Sequence, residues 1–343
     1  MQPDPALQTF RQSSLLDSLP AAWRVPLLAL SVSALTLMLV TAREWGEMFH
    51  QWWDIDTYNH ILLIPFIIAW LIGMKAGELA QLNPRPWFPG FALVAAGLAL
   101  WLAGRFTEIN LLAHAGAVGA VQGTVVAILG SRVSYLLALP LCFAALLVPF
   151  GDEMIPPLQM ITAEIAIALT LWSGVPAVID GIYIDTPVGL FIVAEACSGV
   201  KFLIAMVTLA VLVCFTRFES WVRRALFMVA AIVVPILANG VRAWGTIFIA
   251  QSQGVEFAAG FDHIFYGWIF FGIVVALVLA GAWRFFEREP EDYGWTVEQV
   301  ETLPLVSHAD KQAVGVLRAL GAIVGLAIAA GIIAAIVTVP AIG

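Results

Sequence analysis

Runs of roughly twenty apolar residues recur along almost the whole chain, and no other feature restricts its folding so severely. A helix rises about 1.5 Å per residue, so roughly twenty such residues cover the ~30 Å hydrocarbon core of a bilayer. The 343 residues hold nine candidate spans, at about 25–42, 60–74, 88–104, 109–129, 134–149, 199–216, 225–249, 263–283 and 314–339. Composition closes off the soluble alternative. Hydrophobic residues make up 61% of the chain and charged residues 12%, whereas soluble domains carry about 25% charged residues. A net charge of −8 offers no basic footprint for DNA or RNA. Three cysteines (Cys142, Cys197, Cys214) neither build a disulfide framework nor show metal-ligand spacing, and no cofactor or metal is expected. The expected fold class is an all-α polytopic membrane protein with about eight or nine transmembrane helices.

Orientation follows from Lys and Arg, which are retained on the cytoplasmic side. Arg11, Arg24, Lys75, Arg85, Arg132, Arg217, Arg223, Arg224, Arg284, Arg288, Lys311 and Arg318 all fall on one set of alternate loops. The other set holds Arg43 and Arg105, while Lys201 and Arg242 lie within or at the ends of spans. The N-terminus is therefore expected in the cytoplasm, with the first span an uncleaved signal anchor. Between Arg132 and Lys201 there is no basic residue, and Asp152, Glu153, Glu164, Asp180, Asp185 and Glu195 accumulate, which places this stretch outside. Within it, residues 155–172 read as an interfacial or partly inserted helix. Residues 178–193, with β-branched runs on either side of Asp185-Thr186-Pro187, read as a short external β-hairpin ahead of Cys197. The expected organisation is a cytoplasmic segment 1–24, a transmembrane domain 25–286, an acidic cytoplasmic loop 287–313 and a C-terminal span 314–343.

Ionisable residues in spans are costly and mark function. Three meet at the outer level: Cys197 before the sixth span, Arg242 toward the outer end of the seventh, and His263 where the eighth begins. A thiol near a helix N-terminus feels the positive end of the helix dipole, and Lys201 stands one turn on. A histidine moves protons near neutral pH, and an arginine in a low-dielectric site stabilises an oxyanion. Together they suggest a nucleophile, an acid/base and an oxyanion stabiliser. Cys142 and Cys214 read as apolar filler, and His114 has no evident partner.

Three strings carry a family resemblance: Glu195-Ala-Cys-Ser-Gly-Val-Lys-Phe-Leu-Ile204, Pro235-Ile-Leu-Ala-Asn-Gly-Val-Arg242 and Asp262-His-Ile-Phe-Tyr-Gly-Trp-Ile-Phe-Phe-Gly272. In order and spacing they resemble the exosortases, membrane-embedded cysteine transpeptidases of bacteria, and among these exosortase A. Tyr58-Asn-His-Ile61 is similar to a Tyr-Ser-His-Gly motif of that family, with Asn59 and Ile61 departing from it. Lys201 stands where relatives often carry Arg.

The resemblance implies catalytic roles for Cys197 (nucleophile), Arg242 (oxyanion stabiliser) and His263 (acid/base). It implies support from Lys201, Glu195, Asn239 and Asp262, and accessory places for Tyr58 and His60. It also implies substrates that are exported proteins with a C-terminal tag: a Pro-Glu-Pro motif, one transmembrane helix and a basic tail. Cleavage would occur at the outer, periplasmic face of the bacterial inner membrane, through a thioester resolved by an unidentified acceptor. The competing expectation is a multi-pass transporter or channel whose polar site is formed by Lys201, Arg242, Glu195 and Asp262.

Overall fold

The computed structural model describes residues 20–256, 267–304, 306 and 314–338. The principal helices in chain order are α1 (Ala21–Val40), α2 (Ala42–Asp54), α3 (Ile64–Met74), α4 (Gly90–Thr107), α5 (Asn110–Leu136), α6 (Ala138–Phe143), α7 (Ile155–Trp172), α8 (Val200–Arg217), α9 (Trp221–Gln253), α10 (Gly267–Ala282) and α11 (Val316–Thr338). Among the described residues seven helical segments are long and apolar enough to cross a membrane, or up to nine if two bent pairs each count as one. In hydrocarbon every backbone polar group must be satisfied within the protein, so apolar runs of this length become helices. The chain is a mostly helical polytopic membrane protein with a small antiparallel sheet.

The chain divides into two compact units, one within the bounds Met1–Met48, Ile67–Val148 and Trp295–Gly343, the other within Phe49–Phe66 and Pro149–Gly294.

The first unit is held by backbone proximity. Lipid tails are as apolar as leucine, so helices in a bilayer associate through close packing of small residues. On α4, Gly90, Gly97 and Gly104 recur every seventh residue. A Cβ on any of them would strike the backbone of Ala127, Ala120 or Ala113 on α5. Helix α5 bends at Gly130, whose φ of +82° suits glycine and whose backbone lies against the Arg85 carbonyl. Beside the bend the Ala127 carbonyl accepts from Trp87 N–H at 2.9 Å and the Leu129 carbonyl from Arg85 N–H at 3.3 Å. Beyond it Ala138–Leu147 is a short apolar helix that falls below the length of a span. The straight crossing expected at 134–149 is therefore replaced by a bend and a short helix. His114 does have a partner, the Glu47 carboxylate at 3.2 Å, and buried Glu44 pairs with Arg105 at 3.2 Å.

The second unit contains the sheet. Strands β1 (Val178–Asp180), β2 (Tyr183–Thr186) and β3 (Gly189–Ile192) are antiparallel in that order. Tyr183 lies opposite Ile192 and Thr186 opposite Gly189. The expected hairpin is present with one more strand ahead of it. Asp185 and Thr186 close β2, so the turn falls on Pro187 and Val188. One face of the sheet packs on α7: Ile184 is fully buried and shares a core with Ala163, Ala166, Ile167, Val193 and Ile247.

Helix α7 is long and apolar enough to cross a membrane, and its neighbours are the sheet and the later part of α9. Thr162 bonds Asn239, Ile165 fills the space against Gly240, and Ser173 meets Trp244.

Candidate active site

Cys197 ends a 3₁₀ turn, Glu195–Cys197, between β3 and α8. The sequence places it on one helical face with Lys201, but α8 does not run back that far. Gly199, the N-cap of α8, has φ +83°, and this left-handed residue turns the chain between Cys197 and Val200. A Cβ at Gly199 would come within 2.7 Å of the Asn239 side chain, so both conformation and space select glycine.

Three side chains from two helices brace this turn. The Asn239 amide donates to the Cys197 carbonyl at 2.8 Å and to Thr162 Oγ1 at 3.0 Å. The Gln159 amide donates to the Val193 carbonyl at 2.7 Å. Asn239, Thr162 and Gln159 are all buried, where a hydrogen bond meets little competition from water. Asn239 belongs to a recognised string; Gln159 and Thr162 are new. Nothing marks them in the sequence beyond being polar residues in an apolar helix.

Cys197, Asn239 and Arg242 line one small cavity of about 70 Å³, with Ile184, Phe191, Val193 and Ile247 among its apolar walls. Three amide hydrogens at the nucleophile are already committed. Cys197 N–H donates to the Ala194 carbonyl at 2.8 Å, Ser198 N–H to the Glu195 carbonyl at 3.1 Å, and Val200 N–H to Ser198 Oγ at 3.3 Å. For an oxyanion formed at Cys197, Arg242 supplies a side-chain donor, a guanidinium on the cavity wall.

The three strings converge on the ring of Phe202. Its centroid lies 5.8 Å from Arg242 Cζ and 5.3 Å from Lys201 Nζ, and its ring stacks on Phe271 at 4.7 Å. Gly267 closes the group: a Cβ there would sit 3.6 Å from Phe202 and 3.9 Å from Arg242 Cζ. Cation–π contact and stacking hold the guanidinium at a set height on α9. Phe202 was not singled out as a site residue, although it lies inside the first string.

Asp262 and His263 lie outside the described residues. Glu195 is exposed at the start of the turn, and neither it nor Lys201 lines the cavity. Tyr58 and His60 do not line it either. Tyr58 is buried and donates to Asp152 at 2.6 Å, and His60 Nδ1 lies 3.1 Å from the Thr57 carbonyl. The described residues contain no group of three His, Cys, Asp or Glu suited to a metal ion.

No curated protein and no solved structure matches the chain. The model of the family described as Transmembrane exosortase (Exosortase_EpsH) matches residues 52–280, a stretch that contains all three strings and the whole cavity. The chain belongs to the exosortase family.

Proposed function

We propose that this protein is a membrane-embedded cysteine peptidase or transpeptidase acting on exported proteins that carry a C-terminal sorting tag. Family membership supports a membrane transpeptidase role in general. The observation that carries the finer reading is the shared cavity of Cys197 and Arg242, which sets a guanidinium in the same small space as the thiol. The transporter reading draws on Lys201, Arg242 and Glu195 among the described residues, and of these Arg242 alone lines the cavity.

In this reading the substrate's transmembrane helix sets the depth at which its Pro-Glu-Pro segment meets the site, at the periplasmic face of the inner membrane. The Cys197 thiolate attacks the scissile carbonyl, and the oxyanion forms against Arg242. His263 donates a proton to the departing amine as the C–N bond breaks, leaving a thioester on Cys197. An acceptor amine or hydroxyl, deprotonated by His263, attacks the thioester and restores the thiolate. No cofactor takes part.

The test is a secreted reporter carrying a Pro-Glu-Pro motif, a transmembrane helix and a basic tail, co-expressed with the full chain. The reporter should shorten with the native protein and stay full length with Cys197→Ala. A reporter left intact by both, or shortened equally by both, overturns the proposal.

A further inference from the structure

The sheet ends beside the cavity, and the register of its last strand shows which backbone groups turn away from it. Val193 N–H donates to the Ile182 carbonyl at 3.0 Å, on the line of the Tyr183–Ile192 pairing. Hydrogen-bonded and non-bonded pairs alternate in an antiparallel ladder. Phe191 and Gly189 therefore point their N–H and C=O groups toward β2, while Leu190 and Ile192 point theirs outward. Among the described residues, the one backbone bond to that outward edge is Ala194 N–H on the Ile192 carbonyl at 3.0 Å. Leu190 and Ile192 are also 59% and 53% exposed, so the edge presents apolar side chains together with its donors and acceptors.

An open strand edge is a template for another strand. Of the two outer strands, β1 contributes nothing to the cavity. In contrast, Phe191, Ile192 and Val193 form part of its wall, and β3 runs directly into the Glu195–Cys197 turn. We propose that the outer edge of β3 is a docking strand: an extended segment of the substrate adds to it as a fourth strand and so arrives with one peptide bond at the cavity beside Cys197. This rests on the peptidase reading above and names how that substrate is held. Main-chain bonds to Leu190 and Ile192 supply the hold, and alternate side chains turn toward and away from the cavity wall. An edge of this kind accepts proline only where the substrate nitrogen faces away from β3, because proline has no N–H to give.

The experiment uses the full chain in lipid nanodiscs and a synthetic substrate containing the Pro-Glu-Pro motif, its apolar helix and its basic tail. Single N-methyl residues are placed at each successive non-proline position flanking the cleaved bond. Strand addition predicts a period of two: kcat/KM falls about tenfold or more at alternate positions and changes less than about twofold at those between them. Cleavage dependent on Cys197 with no such alternation overturns the docking strand and leaves the peptidase reading standing; an edge occupied by a second copy of the chain gives that same flat profile. A substrate that the native protein does not cleave at all removes the peptidase reading and the docking strand together. Since the N-methyl changes are in the substrate, the alternation is read on the native protein, and a variant serves only to show that cleavage depends on Cys197.

Discussion

The Asn239→Leu substitution tests how the Cys197 turn is held. Leucine is close to asparagine in shape but has no donor, so the Cys197 carbonyl and Thr162 Oγ1 each lose an amide hydrogen bond, made at 2.8 and 3.0 Å. The hydroxyl rotates and still has the Ser198 carbonyl within reach at 3.5 Å, so its loss costs little. For the carbonyl, losing a donor in a buried setting costs about 1–3 kcal/mol. We expect about 2 kcal/mol of lost stability in a reversible unfolding measurement of the detergent-solubilised protein. The effect on turnover is larger. A displacement of about 1 Å at a reacting atom lowers the rate on the order of a hundredfold, so reporter cleavage should fall by roughly that factor. Gly199→Ala in the two backgrounds separates strain from collision. Alone it meets both the positive φ and the Asn239 amide at 2.7 Å; paired with Asn239→Ala it loses the amide collision and keeps the conformational cost of about 1–2 kcal/mol and the tight 3.1 Å contact with the Cβ of residue 239. Asn239→Leu with native stability and cleavage within about twofold of native would refute the bracing role, as would strict additivity of the pair.

Two further expectations are independent of the site. Gly97→Val drives two methyl groups and a Cβ into the Ala120 backbone and should cost about 1–3 kcal/mol or more in thermal unfolding. Gly46→Ala, where nothing lies within 4 Å, should leave the melting temperature at or above native, and equal melting of the two variants would contradict the glycine packing. Tyr58 should resist ionisation, since burial and then its bond to Asp152 push its phenol above the ordinary value. The protonated phenol is favoured by folding, so its contribution is complete below about pH 10 and is lost as pH rises through the raised folded value. An ultraviolet titration of native protein against Tyr58→Phe checks it, and a phenol that ionises near pH 10 in the difference curve would contradict it.

The fold was legible where its determinants are local. Apolar run length marks a span because bilayer thickness and the need to satisfy every backbone group leave a helix as the outcome. Thus α1, α4, α8, α9 and α11 lie where hydropathy places them. The stretch 134–149 read as a span for the same reason, and the chain departs from it because the helix breaks at Leu137, beyond the bend at Gly130, and tightens to 3₁₀ over Ala144–Leu147. Single-residue breaks of this kind leave average hydropathy unchanged. Gly199 is the second instance: the spacing from Cys197 to Lys201 matches a helical turn, but no helix joins them. The extra strand β1 is only three residues long and pairs with β2 across a two-residue turn, Gly181-Ile182, whose Asp180-Gly181 pair is a local turn signal that the single-hairpin reading passes over.

For the site, the sequence alone determined the three strings and the residue types in them, because nucleophile, cation and proton carrier are properties of side chains. What only the tertiary structure decided is which of these share a space. Cys197 and Arg242 meet at a cavity; Lys201 and Glu195 stand outside it; Tyr58 and His60 belong to a different cluster, at Asp152 and Thr57. Gln159, Thr162 and Phe202 owe their roles to partners brought together by folding, such as the Asn239 amide that reaches both Thr162 and Cys197. The physical reason is range. Hydropathy acts through each residue's own transfer into lipid and can be summed along the chain, whereas a hydrogen bond or a stacked ring requires atoms within a few ångströms. That proximity exists only after the helices have packed.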